Sequence, residues 1–187
     1  FFADGKLKKI AVEGGATVTL CNAPIGYGGS WGDDGSIIAA LDTNAVLSRV
    51  PAAGGTPVPV TKLNTGESTH RWPQVFPGSQ AVLFTAAAAT GAGYDDANIE
   101  VMSLQTGERK TLHKGGFSAR YLAGATGSTG KGHVVYLYQS TLFAVPFDAG
   151  RLALAGAAAP ILEDVSSTQI AGGDFAFGGN GTFVYLR

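Results

Sequence analysis

The chain has 187 residues, 28 of them Gly, with 45 % apolar and only 14 % charged side chains. That Gly share is about twice the usual 7 %, and so much apolar surface with so little charge excludes a disordered chain and describes a folded domain rich in tight turns. A formal net charge of −1 removes the basic footprint of a nucleic-acid or anionic-membrane binder.

In chain order, Phe1 to Ala3 reads as the tail of a strand that turns at Asp4-Gly5 into a nine-residue stretch, Leu7 to Gly15. This stretch begins apolar, is apolar again at Ile10 and ends in Gly, and a short β-type run with Leu20 follows. Trp31-Gly-Asp-Asp-Gly35 then precedes the apolar run Ile37 to Leu41, with Asp-Gly as a hairpin signal. Leu47 to Gly55 repeats the nine-residue pattern, with Val60 five places beyond. Trp72 to Pro77-Gly78 leads into Val82 to Phe84, and a long loop, Thr85 to Ala97, leads to the third copy, Ile99 to Gly107, with Leu112 beyond it. Tyr121 and a Gly-rich loop, Gly124 to Gly132, precede Val134 to Tyr136 and the fourth copy, Leu142 to Gly150. The pattern then departs, because Arg151 to Ala159 is an Ala-rich extension before Ile161 and Leu162. Phe175 to Asn180-Gly181, before Phe183 to Tyr185, closes the series.

The four copies start at positions 7, 47, 99 and 142, the spacing of propeller blades at about 40–50 residues. A Gly at the ninth place suits a hairpin turn that needs positive φ. No stretch holds a 3.6-residue period, and the Ala runs 86–89 and 157–159 are too short to be helices alone. The expected fold is therefore all-β, a β-propeller of four-stranded antiparallel blades. The expected divisions are a half-blade at 1–22, blades at 23–63, 64–114 and 115–163, and a half-blade at 164–187. Three arrangements stay open: a segment of a larger propeller of about six to eight blades, a self-closing four-bladed ring, or two copies sharing one ring. Half-blades 1–22 and 164–187 are expected to pair with each other, with a second copy or with further blades, because open strand edges invite association. Met102 is the only Met, so the chain reads as a processed product or a piece of a longer polypeptide.

Phe1-Phe-Ala-Asp-Gly-Lys-Leu-Lys-Lys-Ile10, Gly28-Gly-Ser-Trp31, Arg49 to Pro57, Thr69-His-Arg-Trp-Pro-Gln74 and Gly107-Glu-Arg-Lys-Thr-Leu112 carry a family resemblance. Together they resemble the TolB-like, WD-repeat-like propeller found C-terminal to the kinase domain of bacterial, especially acidobacterial, serine/threonine protein kinases. The resemblance spans essentially the whole chain. It implies an extracytoplasmic propeller, periplasmic or at the cell surface, that serves as a sensor or protein-interaction module. It implies no kinase activity here: the Gly-rich nucleotide loop, strand Lys and Asp-Phe-Gly motif are absent, and Trp72 follows His70-Arg71 where a catalytic loop has Asp.

Several motifs have duller readings that fit better. Gly28 to Gly32 matches G-x-S-x-G, but Asp33-Asp34-Gly35 makes a hairpin where a nucleophile elbow needs a helix. Gly124 to Gly132 lacks the first Gly and the Ser or Thr of a phosphate loop. Asp95 and Asp96, with Asn98 and Glu100, offer oxygen donors to a cation without regular EF-hand spacing, and a solvated turn is the preferred reading. Cys21, the only cysteine, reads as a buried small residue, and His113 and His133 as exposed ones. No cofactor is expected.

The loops that enter the innermost strands converge on the mouth of a propeller's channel. Here they carry Tyr27, Glu67, His70, Arg71, Ser118, Arg120, Gln169 and Asp174. Two readings stand: a site for a protein or small polar ligand held by guanidinium hydrogen bonds, or arginines that tie neighbouring blades together. The expected function is a non-catalytic binding or scaffold module with no membrane contact of its own. The alternative is a propeller hydrolase or lyase, or the gating propeller of a prolyl-oligopeptidase-type peptidase, using His70, Glu67 and Asp174.

Overall fold

A computed structural model describes residues 1–88, 93–124, 130–168, 172–178 and 181–187. Among these, strands β1 (Phe2–Ala3), β2 (Lys6–Lys9) and β3 (Val18–Asn22) form one antiparallel sheet. The next sheet has the order β4 (Gly29–Trp31), β5 (Ser36–Ala40), β6 (Leu47–Pro51), β7 (Val58–Pro59). A third contains β8 (Thr69–Val75), β9 (Ala81–Ala87), β10 (Asn98–Ser103) and β11 (Arg109–Lys114) in the same sequential order. The fourth has β12 (Phe117–Ala123), β13 (Lys131–Tyr138), β14 (Thr141–Asp148) and β15 (Ala153–Leu154), with β16 (Ala159–Leu162) also paired to β14. Two short ladders end the chain, β17 (Ser167–Thr168) with β18 (Gly172–Gly173), and β19 (Phe175–Phe177) with β20 (Phe183–Tyr185). No α-helix occurs among the described residues; Pro77–Ser79 is a single 3₁₀ turn.

The sheets stack face to face, and the strand period of two explains how. In β5, Ile37 and Ala39 join a core with Leu7, Leu20 and Cys21, while Ile38 and Ala40 join Tyr27, Val82 and Phe84. In β9, Val82, Phe84 and Ala86 face that same second core, and Ala81 and Leu83 face a third with Tyr121, Val134 and Phe147. In β13, Val134 and Tyr136 belong to the third core, and Val135 and Leu137 to a fourth with Trp72, Phe117 and Leu142. Each middle strand thus buries both faces, which is why it reads as an unbroken apolar run. Each fully buried Leu, Ile or Phe contributes about 1.5–3 kcal/mol, so the stacking between sheets holds the architecture.

Local details depart from expectation in three places. Gly15, Gly55 and Gly107 take φ of +115°, +140° and +73°, but at the fourth hairpin Leu152 (φ +48°), not Gly150, adopts the left-handed conformation. The loop expected from Thr85 to Ala97 begins later, because β9 continues through Thr85 and Ala86, paired with Ile99 and Asn98. His113 is half-buried rather than exposed, 3.1 Å from the Tyr136 hydroxyl and packed on its ring, whereas His133 is exposed. Cys21 is buried with a free thiol whose pKa burial raises.

Candidate functional site

The first strands of successive sheets stand side by side and share one local device. In β8 the register shifts between Arg71 and Gln74, and in β12 between Phe117 and Arg120. Before β4 the equivalent shift appears as Tyr27 and Gly28 both bonding to Ala40. The extra residue is left-handed each time: Gly28 (φ +94°), Trp72 (φ +50°) and Ser118 (φ +52°), with Gly172 (φ +82°) before β19. Such a bulge re-aims the side chains that follow it. Two residues on stand Ser30, Gln74, Arg120 and Asp174.

These polar residues stitch the strands together. The Val75 N–H donates to Ser30 Oγ at 2.9 Å. One strand further on, the Tyr121 N–H donates to Gln74 Oε1 at 2.5 Å, and Gln74 Nε2 donates to the Tyr121 carbonyl at 3.1 Å. Arg120 Nη1 donates to the carbonyls of Trp72 (3.1 Å) and Ala119 (2.9 Å). Ser118 is buried; its N–H donates to Thr85 Oγ1, and its Oγ accepts from the Gly173 N–H at 2.9 Å. Asp174 accepts from the Ser166 hydroxyl at 2.9 Å.

The other expected site residues fall into two buried groups. Arg71 lies 3.5 Å from the centre of the Tyr27 ring and 5.0 Å from that of Tyr94, and it donates to Thr69 Oγ1 and the Thr43 carbonyl. His70 is fully buried, with Nδ1 2.8 Å from Thr61 Oγ1 and Nε2 3.2 Å from Glu67 Oε2. Glu67 pairs with Arg109, whose Nε also donates to the buried Glu100 at 2.9 Å, and Glu100 accepts from the Thr111 hydroxyl at 2.7 Å. Burial pushes the Glu67 pKa up, but hydrogen bonds from Arg109, the Asn64 N–H and His70 outweigh it and hold the carboxyl at about 2. Burial pulls the His70 pKa below its usual value, against the raising effect of Glu67.

Arg109, Glu100 and Gln74 were not anticipated from the sequence, although Glu100 was noted as a possible oxygen donor. Glu100 turns to Arg109 and Thr111 instead of joining Asp95 and Asp96. Asp95 accepts from the Gln139 N–H at 2.9 Å and anchors the β13–β14 turn, and Asp96 is exposed. Among the described residues no group of three or more His, Cys, Asp or Glu is arranged to hold a metal ion. Gln169 lies outside the described residues.

Open space lies along the first strands. A cavity of about 900 Å³ is lined by Ser30, Pro73, Gln74 and Arg120 of the first strands and by Phe175, Phe177 and Phe183 of the last ladder. Tyr121 and Ala123 continue it into a smaller groove of about 240 Å³ beside Trp31, which is 54 % exposed.

Four-stranded antiparallel sheets stacked face to face, with their first strands beside a common cavity, define a β-propeller. Solved structures agree on that class. Regucalcin from Agrobacterium tumefaciens, described as a calcium-binding protein, superposes with a TM-score of 0.67 at 18 % identity, over 98 % of this chain and 60 % of its own. TolB from Acinetobacter baumannii gives 0.64 at 15 % identity, over 97 % of this chain and 43 % of its own. A puromycin-hydrolysing peptidase from Mycobacterium tuberculosis gives 0.60 at 13 %, over 98 % and 32 %. This chain therefore spans less than two thirds of each of these structures, and likeness at such identity shows the fold alone. No protein-family model and no curated protein sequence matches the chain.

Proposed function

We propose that the chain is a non-catalytic propeller module that captures a protein segment or a small polar ligand in the cavity along its first strands. The supporting observation is how the polar groups divide. Glu67, His70 and Arg109 satisfy one another inside the stack, while the cavity presents amide, guanidinium and aromatic groups to solvent-accessible space. A cavity of several hundred Å³ in which fixed polar groups meet aromatic side chains is a common form of ligand site. Its described lining contains no carboxylate, imidazole or thiol, which speaks against a nucleophile–base pair of the kind used in hydrolysis.

A place in a larger, extracytoplasmic polypeptide, of the kind in which a propeller follows a kinase domain, completes this reading. The motifs from Phe1 to Leu112 that resemble kinase-linked propellers support it, and sequencing the full reading frame tests it. Binding is tested by a thermal-shift screen of small organic acids, amides and short peptides against the protein and against Ala123→Trp. Ala123 is exposed on the cavity wall, so the indole obstructs part of the cavity without entering the core. Ligands that stabilise the first protein are expected to lose their effect on the second; ligands that act equally on both place binding elsewhere. Ester or peptide turnover abolished by His70→Ala would favour the hydrolase alternative.

A further inference from the structure

Resting on that reading, we propose that the cavity selects ligands carrying one carboxylate on an aromatic body, with Arg120 as the anion anchor. Arg120 is the only charged side chain among the described lining residues. Its hydrogen bonds run from Nη1 to two backbone carbonyls, and no carboxylate lies within ion-pair distance of it among the described residues. The edge formed by Nε and Nη2 makes no hydrogen bond to the described residues, and it is an edge that a carboxylate can grip with two parallel bonds.

The position itself argues for a ligand. Ser30 and Gln74, at the equivalent places of the two preceding strands, accept a backbone N–H from the next strand. A guanidinium has five donors and no acceptor, so Arg120 cannot perform that stitch. A cation placed there is partly desolvated, which pulls its pKa down, and leaving it without an anion costs stability. An incoming carboxylate removes that cost.

The aromatic part of the lining specifies the rest of the ligand. Phe175, Phe177 and Phe183 contribute to the lining while packing in part against the core of Trp72, Phe117 and Leu137, with Phe177 and Phe183 stacked at 4.5 Å and 20°, and Tyr121 follows Arg120 in the lining. Flat apolar faces of this kind bury and stack an aromatic ring. Two sources share the chemistry: a free aromatic carboxylic acid, and a peptide that ends in Phe or Tyr with a free C-terminus.

Isothermal titration calorimetry at pH 7 with 3-phenylpropionate, 3-phenylpropionamide, Gly-Gly-Phe and Gly-Gly-Phe amide tests the inference. Each acid is expected to bind at least about tenfold more tightly than its amide, as a charge-assisted bond requires. Arg120→Gln should remove that preference, Arg120→Lys should keep part of it, and Phe177→Ala should weaken acid and amide by a similar factor. Tighter binding of Gly-Gly-Phe assigns a peptide terminus, and tighter binding of 3-phenylpropionate a small acid; either supports the inference. Equal binding of acid and amide, or unchanged acid binding by Arg120→Gln, overturns it while leaving a neutral ligand cavity in place. If none of the four probes binds at about 10 mM, the inference fails, and the Ala123→Trp screen decides the broader reading separately. Should Arg120→Gln not fold, the acid-to-amide ratio of the unaltered protein decides alone.

Discussion

Arg109 is the residue on which the buried polar network depends, and Arg109→Met tests that dependence. Met keeps an unbranched apolar stem and deletes the guanidinium, which bonds Glu67 through both Nη atoms and Glu100 through Nε. Glu100, 2 % exposed, retains only the Thr111 hydroxyl, and Glu67 retains the Asn64 N–H and His70. Removing one partner of a buried ion pair costs about 3–5 kcal/mol. The Glu67 side chain keeps 11 % of its exposure, so water screens part of that cost and about 3 kcal/mol is expected. Urea unfolding at pH 7.5 should then move its midpoint down by about 1–1.5 M, for a slope of about 2–3 kcal/mol per M. At pH 4.5 the penalty should shrink by at least about 1 kcal/mol. Without Arg109, burial raises the Glu67 pKa, so that carboxyl takes up a proton more readily there, whereas in the unaltered protein it is held at about 2 and remains ionised. Adding Glu67→Gln and Glu100→Gln should restore most of the loss. A penalty below about 1 kcal/mol at pH 7.5, or the same penalty at both pH values, would refute the view that Arg109 neutralises two buried charges.

The unaltered protein should lose stability in acid in two stages. His70, depressed in the fold, gives stability that is complete above its unfolded value of 6.5 and declines as pH falls below it; Glu67 gives stability that is complete above 4.5 and is lost towards about 2. A chemical-denaturation series from pH 8 to 3 checks this, and stability that rises between pH 6.5 and 4 contradicts it. Gln74→Ala removes both bonds to Tyr121 and should cost about 1–3 kcal/mol, measured by the same unfolding method; a change under about 0.5 kcal/mol means the strands are not joined there. Cys21, 8 % exposed with its thiol pKa raised by burial, should react with Ellman's reagent only on unfolding. Rapid labelling of the native protein would place it on an opening segment.

The fold was legible because its causes are local and repeated. Middle strands bury both faces, so Ile37 to Leu41 and Val82 to Phe84 read as apolar runs, and the turns between them need left-handed residues that Gly supplies at Gly15, Gly55 and Gly107. The hairpin after β14 broke the rule because Leu152 accepts the strained conformation there. The polar network was only half legible. His70 and Glu67 are three residues apart, but their partner Arg109 lies 39 and 42 residues away, a distance set by the width of a sheet and by no local spacing. One signal was present: Glu100 interrupts the apolar sequence Ile99 to Met102, and a charge in such a strand needs a buried counter-charge. Glu100 and Thr111 face each other across β10 and β11, so the strand pairing makes that signal readable.

Expectation placed a ligand where chain enters the first strands, and the geometry explains why much of that end is closed. The bulge at Gly28, Trp72 and Ser118 turns the preceding side chains, Tyr27, Arg71 and Phe117, into the contacts between sheets, where all three are buried. The residues two places on face the neighbouring first strand, and their chemistry decides what happens next. Where they can accept a hydrogen bond, as Ser30 and Gln74 do, they close the gap by taking the next strand's N–H. Arg120 can only donate, so it reaches back to the Trp72 carbonyl, and the cavity it lines is bounded further by Phe175 and Phe177, which pack against the core of Trp72, Phe117 and Leu137. The repeated backbone thus fixes where side chains point, and one departure in donor and acceptor character, at Arg120, is what the proposed carboxylate site rests on. Exchanging the character tests this directly. Arg120→Gln puts an acceptor at the third position and deletes the guanidinium with its bonds to the Trp72 and Ala119 carbonyls, so it should remove carboxylate binding while the protein stays folded. A folded variant that binds carboxylates as the unaltered protein does would mean that the arginine is there for the fold.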